Sequence, residues 1–170
     1  MWRNVELKFR VPALEPVRLA ALAAGARPEG RLWQTDTYYR CASGRLKLRH
    51  TEGQDAQLIW YARADLADAR PSDYLLVPVP DAVALHQALA QALGVRAVVV
   101  KERTLYLWRQ VRIHLDQVVG LGSFVELEAV LLPDQPESVG RDWLADLVER
   151  LGLAACMPVA ESYGELVASR

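Results

Sequence analysis

Acidic and basic side chains recur at alternate positions in this sequence, a spacing suited to the joint binding of a polyanion and a divalent metal. Glu6 precedes Lys8 by two residues, and Glu126 precedes Glu128 in the same way. Carboxylate oxygens are ligands that Mg²⁺ and Mn²⁺ prefer, whereas lysine and arginine bind phosphate oxygens. These residue types therefore favour phosphate chemistry assisted by a metal.

The alternate spacing predicts β-strands, because successive side chains of an extended chain point to opposite faces. In the first strand, one face holds the polar set Asn4, Glu6, Lys8 and Arg10, and the other holds Val5, Leu7, Phe9 and Val11. Five later segments alternate in the same way. Their polar faces contain Arg45, Lys47 and Arg49; Gln57, Ile59, Tyr61 and Arg63; Lys101 and Arg103; Arg112, His114 and Asp116; and Phe124, Glu126 and Glu128.

A single strand of this kind is most simply explained by a polar face in water and an apolar face on the core. The whole set favours a different explanation, since its polar faces hold long cations and carboxylates but few Ser, Asn or Gln residues. If the sheet closes and helices cover its apolar outer face, the charged faces line a shared interior. Crowded cations repel one another there unless an anion is present, so we expect a polyanionic ligand.

Three helices and a shorter fourth one are predicted between or after the strands. They span about residues 13–24, 81–93 and 138–151, with Asp81 as the N-cap of the second, and the fourth follows Pro158. The order of elements is typical of an α+β fold with a large antiparallel sheet. We therefore predict a closed antiparallel β-barrel with helices packed outside it.

Composition limits the classes of partner and the compartment. The chain has 170 residues with no long break, which favours one domain, 1–170. A net charge of -1 without charged tails argues against nucleic acid or a membrane as a partner. Cys41 and Cys156 are expected to be reduced thiols of a cytoplasmic protein, with one disulfide left open as the alternative.

Taken in order, these segments resemble the CYTH, or triphosphate tunnel, superfamily. Asn4-Val5-Glu6-Leu7-Lys8 is similar to the N-terminal ExExK motif of that superfamily. The resemblance continues through Thr35-Asp36-Thr37-Tyr38-Tyr39, Gly44-Arg45-Leu46-Lys47-Leu48-Arg49, Lys101-x-Arg103, His114-Leu115-Asp116, Phe124-Val125-Glu126-Leu127-Glu128 and Ser162-Tyr163. Arg63 followed by Arg70-Pro71-Ser72-Asp73-Tyr74 most resembles the class IV adenylyl cyclase-like branch.

The resemblance implies an eight-stranded tunnel that binds a triphosphate such as tripolyphosphate or ATP with Mg²⁺ or Mn²⁺. It implies metal ligands at Glu6, Glu126 and Glu128, with Asn4 in the position of a further ligand. Lys8 and Asp116 would be catalytic, Lys8 as a proton acceptor. The phosphate-binding set would be Lys8, Arg45, Lys47, Arg49, Arg63, Lys101, Arg103 and Arg112. A homodimer is left open by analogy.

Two positions depart from the family pattern. Asn4 stands where the motif has its first Glu, and an amide oxygen brings no charge to a second metal site. Tyr61 stands where many hydrolytic relatives carry Lys, so Arg63 is expected to take over that role or the phosphate contacts are altered. Both departures are compatible with the cyclase-like branch.

Several functions stay open at the level of sequence. Hydrolysis of an inorganic or organic triphosphate is favoured, and cyclisation of ATP and non-catalytic polyphosphate binding are alternatives. A single-stranded nucleic-acid groove is disfavoured by the net charge. We expect a hydrogen-bonded structural role for His114 rather than general-base chemistry, and a turn or phosphate-contacting loop at Ser72-Asp73. Tyr38 and Tyr39 are expected to pack in strands rather than stack on a base.

Overall fold

Eight antiparallel strands form the body of the protein. The computed structural model describes residues 1–170. The strands are β1 (Trp2–Arg10), β2 (Arg27–Tyr39), β3 (Arg45–Thr51), β4 (Ala56–Arg63), β5 (Arg70–Val79), β6 (Val95–Trp108), β7 (Val111–Val118) and β8 (Gly122–Val130), with a two-residue β9 (Met157–Pro158). The helices are α1 (Glu15–Ala23), α2 (Ala82–Leu93), α3 (Glu137–Arg150) and α4 (Tyr163–Ala168), with a 3₁₀ turn at Leu153–Ala155.

The sheet closes on itself. Its hydrogen-bonded order is β5-β4-β3-β2-β6-β7-β8-β1, and β1 then pairs with β5 from Trp2 opposite Tyr74 to Glu6 opposite Arg70. Strand β9 only extends the end of β1, where Phe9 faces Pro158. The predicted fold, a closed eight-stranded antiparallel barrel with helices packed outside, is confirmed.

Helix boundaries agree with the sequence to within about two residues. The carboxylate of Asp81 accepts a hydrogen bond from the Ala84 amide at 2.9 Å, as expected of the N-cap of α2. The short fourth helix exists as α4. Ser162 is its N-cap. The Ser162 side chain accepts a hydrogen bond from the Glu165 backbone amide, and the Glu165 side chain accepts one from the Ser162 backbone amide. None of the helices has the length and apolar character that a membrane span requires.

Helices α1 and α3 cover the apolar outer face of the barrel on one side. The largest core cluster has 20 buried residues and combines outward side chains of β1, β7 and β8, such as Val5 and Leu127, with Leu144 and Leu147 of α3. A smaller cluster, Tyr39, Leu48, Ala56 and Val79, packs under α2. Because these outer faces are buried in protein, the polar faces of the same strands point into the barrel.

Helix α4 closes one end of the barrel. Its Tyr163 packs with the inward-facing residues Val99, Val118 and Phe124, and the Tyr163 and Phe124 rings meet edge to face at 5.1 Å. The barrel interior is therefore a pocket that opens at the opposite end. Cys41 and Cys156 are both free, so the disulfide alternative does not apply.

Gly164→Ala tests how closely α4 packs against the Tyr38 ring. A Cβ at Gly164 would lie 2.8 Å from the Tyr38 ring, closer than real Cβ contacts. We expect the substitution to lower the free energy of unfolding by about 1–3 kcal/mol, because the helix or the ring must shift. Chemical denaturation measures this effect. Ser169→Ala, at an exposed position after α4, is the control, and equal stabilities of the two variants would contradict the close approach.

Candidate functional site

A cavity of 420 Å³ occupies the interior of the barrel. Seven basic side chains line it, namely Lys8, Lys47, Arg49, Arg63, Lys101, Arg103 and Arg112. Four carboxylates also line it, namely Glu6, Asp36, Glu126 and Glu128. The lining thus carries three more formal positive charges than negative ones, which makes the enclosed space attractive to a polyanion.

Strand alternation explains why these side chains meet. On β1, Asn4, Glu6 and Lys8 line the cavity, whereas Val5 and Leu7 belong to the outer core. The structure brings together all the site residues predicted from the sequence except Arg45 and Asp116. Their roles in binding and catalysis stay predictions.

One buried carboxylate organises the basic side of the cavity. Asp36 has no exposed surface and accepts hydrogen bonds from Lys101 at 2.8 Å, from Lys47 at 3.0 Å and from the Arg49 guanidinium at 2.7 and 2.8 Å. Burial opposes ionisation of Asp36, but these three cations outweigh it and hold the pKa of Asp36 well below its usual range. Asp36 therefore keeps three cations at one point of the wall.

The two lysines of this group have depressed pKa values. Burial, the largest cause, lowers the pKa of Lys101 to about 7 and that of Lys47 to about 8. The nearby Arg49 acts in the same direction on both, whereas Asp36 opposes the shift. An anion bound beside these amines would favour their charged forms.

Asp116, predicted from the sequence to be catalytic, is buried beneath Tyr163 and does not line the cavity. It has no exposed surface and accepts two hydrogen bonds of 2.6 Å from the Arg103 guanidinium. The Tyr163 hydroxyl donates a third at 2.8 Å. With its oxygens occupied, Asp116 orients Arg103 and holds α4. The catalytic role of Asp116 stays a prediction.

Arg45, predicted to bind phosphate, lies outside the main cavity. It is on the inner face of β3 as expected, but at the end closed by α4. Its guanidinium donates to Asp65 at 2.6 Å and to Glu165 at 2.7 Å. These contacts join α4 to the β4–β5 connection, so Arg45 serves the closed end of the barrel and not the cavity.

Glu6 and Arg63 line the cavity but are engaged with each other. The Arg63 Nε atom lies 2.8 Å from Glu6 Oε1, and Arg70 Nη2 lies 3.5 Å from the same oxygen. Burial and the neighbouring Glu126 raise the pKa of Glu6, while Arg63 and Lys8 oppose the rise. A metal at Glu6 would have to share this carboxylate with two arginines.

A mixed cluster of His114, Glu126 and Glu128 lies on neighbouring strands β7 and β8. One ligand atom from each residue falls within 4.8 Å of the others. Glu126 also lies 3.3 Å from the Lys8 Nζ atom and 2.9 Å from Arg103. Burial disfavours its charge, but Lys8, His114 and Arg103 hold the pKa of Glu126 well below its usual value. Ionised carboxylates beside an imidazole form a donor set that fits a divalent cation.

The segment 70–74 is a strand, not the turn or loop expected from the sequence. It forms the start of β5, held between β1 and β4. Ser72 and Tyr74 point into the cavity, whereas Asp73 points outward and pairs with Arg3 at 2.7 Å. Pro71 is tolerated because it lies at the start of β5, where the pairing with β4 has not yet begun.

The open end of the cavity is less charged than its middle. Leu32, Leu76 and Leu105 line it there, beyond Gln34, Tyr74 and Arg103 on their respective strands. Arg112 also lies toward this end, with 43% of its side chain exposed. A ligand that fills the cavity would therefore present a group of low charge to the opening.

Sequence reasoning assigned no role in the cavity to several residues that line it. Asp36 is the most important, and Gln34 and Tyr38 share its face of β2. The alternation of Gln34, Asp36 and Tyr38 against Trp33, Thr35 and Thr37 was the available signal. Tyr163 was found only as a motif match, yet its ring lies 4.2 Å from the Lys8 Nζ atom. Nothing local in the sequence indicates that contact.

A closed antiparallel barrel with a basic interior and an adjoining carboxylate cluster defines the class of triphosphate tunnel folds. The CYTH domain family model matches residues 3–155, and the chain belongs to the CYTH domain family. The resemblance noted from the sequence is thereby confirmed. No curated protein matches the sequence significantly.

Solved structures share the whole architecture at low sequence identity. The PH1012 protein from Pyrococcus horikoshii is 24% identical, with a TM-score of 0.86 over 96% of this chain and 99% of its own. A conserved hypothetical protein from Pyrococcus furiosus is 20% identical, with a TM-score of 0.84 over 96% and 99%. An adenylyl cyclase candidate from Hippeastrum, described as having a dominant triphosphatase activity, is 14% identical, with a TM-score of 0.70 over 99% and 96%. At these identities the likeness concerns the fold.

Proposed function

We propose that the protein hydrolyses a triphosphate inside the barrel with the help of a divalent metal. The observation that carries this proposal is the single cavity in which seven basic side chains adjoin the cluster His114, Glu126 and Glu128. Linked phosphates need several cations along their length, and a metal beside them neutralises the charge of the leaving group. Membership of the CYTH family supports the same substrate class.

The basic residues of the cavity wall would bind the phosphate chain. Arg49 and Arg103 present guanidinium groups that Asp36 and Asp116 already orient, so little side-chain freedom is lost on binding. Lys47 and Lys101 add compact charges at the same level of the barrel. Preorganised cations of this kind stabilise the charge of the transition state more than flexible ones do.

Lys8 lies between the basic side chains of the cavity and its carboxylates. Its Nζ atom lies 3.3 Å from Glu126 Oε1 and 3.3 Å from the Glu161 carbonyl oxygen. A divalent ion held by Glu126 and Glu128 would polarise the terminal phosphate. We assign to Lys8 the orientation of the attacking water, since Lys8 is the amine next to that carboxylate; acceptance of the water's proton would require the neutral form of this amine.

Cyclisation of ATP is the second candidate, and the apolar opening favours it. Leu32, Leu76 and Leu105 could contact a base or another organic group while the phosphates fill the middle of the cavity. The same opening also suits hydrolysis of an organic triphosphate. The Hippeastrum protein illustrates that this fold supports triphosphatase activity in a protein first named for cyclase chemistry.

A product assay separates these functions. The purified protein is incubated with Mg²⁺ or Mn²⁺ and with tripolyphosphate, ATP or thiamine triphosphate, and orthophosphate, pyrophosphate and cyclic AMP are resolved. We expect orthophosphate from at least one substrate and no product after chelation of the metal. Cyclic AMP with pyrophosphate would instead support the cyclase, and tight binding without any product would support a non-catalytic binder.

Binding of tripolyphosphate is expected to weaken as the pH rises from 6.5 to 8.5. A lysine with a pKa of about 7 loses its proton in this range, so Lys101 must regain one to meet the phosphate. One such proton lowers affinity by at most about tenfold per pH unit. Titration calorimetry without metal, in two buffers of different ionisation enthalpy, measures the proton uptake.

The matched control for this pH dependence is Lys101→Arg, because arginine stays charged throughout the range. Its affinity should fall less steeply with pH than that of the wild type, and the remaining fall would come from Lys47, whose pKa is about 8. The comparison also corrects for ionisation of the phosphate itself. Equal pH profiles for the two proteins would exclude Lys101 as the group that takes up the proton.

A further inference from the structure

We propose that His114 is a metal ligand, and that with Glu126 and Glu128 it forms a nitrogen-containing site that prefers Co²⁺ and Zn²⁺ to Mg²⁺. This inference deepens the proposed function, since it concerns the metal of the same cavity. Sequence reasoning assigned His114 a structural hydrogen bond and assigned the metal to oxygen ligands alone. The structure carries the new assignment through three observations.

The first observation is the geometry of the three side chains. His114 faces Glu126 directly across the β7–β8 ladder, and Arg112 faces Glu128. The His114 Nδ1 atom lies 3.6 Å from Glu126 Oε2, and His114 Nε2 lies 3.9 Å from Glu128 Oε2. One ion can bind only one of these two nitrogens, and one ligand atom from each of the three residues lies within 4.8 Å of the others. Two ligands of one ion with bonds of about 2.1 Å are about 3 Å apart, so side-chain rotations would have to bring the three atoms closer to close the site.

The second observation is an unpartnered nitrogen. His114 is 4% exposed, and its Nδ1 atom is buried without a hydrogen-bond partner although the residue lines the cavity. Buried polar atoms almost always have a partner, so the exceptions call for an explanation. A structural histidine would have a hydrogen bond at this nitrogen, whereas a metal ligand needs a free lone pair there.

The third observation is that Asn4 is neutral, whereas the family motif has a glutamate at this position. Its Oδ1 atom is also buried and unpartnered, and it lines the same cavity from β1. Glu6 is paired with Arg63, so the carboxylates left beside His114 are Glu126 and Glu128, and the neutral Asn4 amide adds no charge to them. An imidazole ligand compensates best for later first-row metals, which bind nitrogen more strongly than Mg²⁺ does.

Metal binding to the chelator-treated protein tests the proposal directly. Co²⁺ is titrated while its visible absorption is recorded, and Zn²⁺ and Mg²⁺ are titrated by calorimetry. We expect the wild type to bind Co²⁺ and Zn²⁺ more tightly than Mg²⁺. His114→Gln should weaken Co²⁺ and Zn²⁺ binding at least tenfold and change Mg²⁺ binding much less. His50→Gln, at an exposed position of β3, is the control and should match the wild type.

A second measurement does not need the His114→Gln variant and therefore remains valid if that variant fails to fold. Pulsed electron paramagnetic resonance of the Mn²⁺-loaded protein detects coupling to a ligand nitrogen, and the signal should persist in His50→Gln. No nitrogen coupling, or equal metal preference in His114→Gln and wild type, would overturn the proposal. Failure of triphosphate hydrolysis in a protein with the expected metal preference would instead remove the proposed function and leave the site standing.

Discussion

Glu126→Gln is expected to reduce metal-dependent triphosphate turnover at least about a hundredfold without unfolding the barrel. Glu126 is the carboxylate that lies next to Lys8, Arg103 and His114 at once. Because its pKa is held well below the usual value, it stays ionised throughout any practical assay range. Glutamine has almost the same size but no charge, so it removes metal affinity while filling the same space.

The matched control is Glu102→Gln on the outer face of β6. Glu102 pairs with Arg31 away from the cavity, so the control removes the same charge from the protein without touching the site. Turnover is compared at saturating Mg²⁺ and Mn²⁺, and melting curves verify the fold of both variants. A Glu126→Gln rate within about threefold of the wild type would remove the metal site from the proposed mechanism.

Asp36→Asn is expected to lower the free energy of unfolding by about 3–5 kcal/mol, because buried cations lose the carboxylate that pairs with them. Lys47, Arg49 and Lys101 all contact Asp36, and none of their side chains is more than 16% exposed. The three cations would then repel one another at one point of the cavity wall. Urea denaturation measures the loss.

Added tripolyphosphate should restore much of this stability. An anion in the cavity would take the place of the Asp36 carboxylate against the three cations, and a ligand stabilises the state it binds. We therefore expect a larger ligand-dependent gain in the variant than in the wild type. Asp146→Asn, which breaks an exposed pair with Arg150 on α3, is the control and should change neither stability nor its response to the ligand.

Two outcomes would contradict this account of Asp36. A variant as stable as the wild type would show that the three cations do not need the Asp36 carboxylate to be accommodated in the fold. A destabilised variant with no recovery in tripolyphosphate would show that the basic wall is a structural ion-pair network and not a phosphate site. The second outcome would leave the barrel intact but shift the candidate substrate site away from β2 and β3.

The direction of most strand side chains could be predicted from the sequence alone. Alternation is a property of a single extended strand, so it can be read without knowing the partner strands. It placed Glu6 and Lys8 inside the barrel and Val5 and Leu7 outside, as the structure has them. Apolar runs and caps likewise determined the helices, because capping and helical periodicity involve neighbours in the chain.

Strand β5 marks a limit of such local patterns. The segment from Arg70 to Tyr74 contains proline, serine and aspartate, which are typical of turns. Its pairing with β1 and β4 nevertheless makes it a strand, since those partners supply the hydrogen bonds that close the barrel. No window of sequence around Ser72 contains that information.

Which charged side chains remain free to bind a ligand depends on contacts made by the folded barrel. Arg45 and Arg49 lie on the same face of β3, yet Glu165 of α4 engages the first and the cavity receives the second. Asp116 is buried because Tyr163, distant in the chain, packs over it, and the His114 nitrogen is left without a partner among side chains from other strands. Ion pairing and burial depend on residues brought together by closure of the barrel, so local sequence can propose the charges but cannot assign their partners.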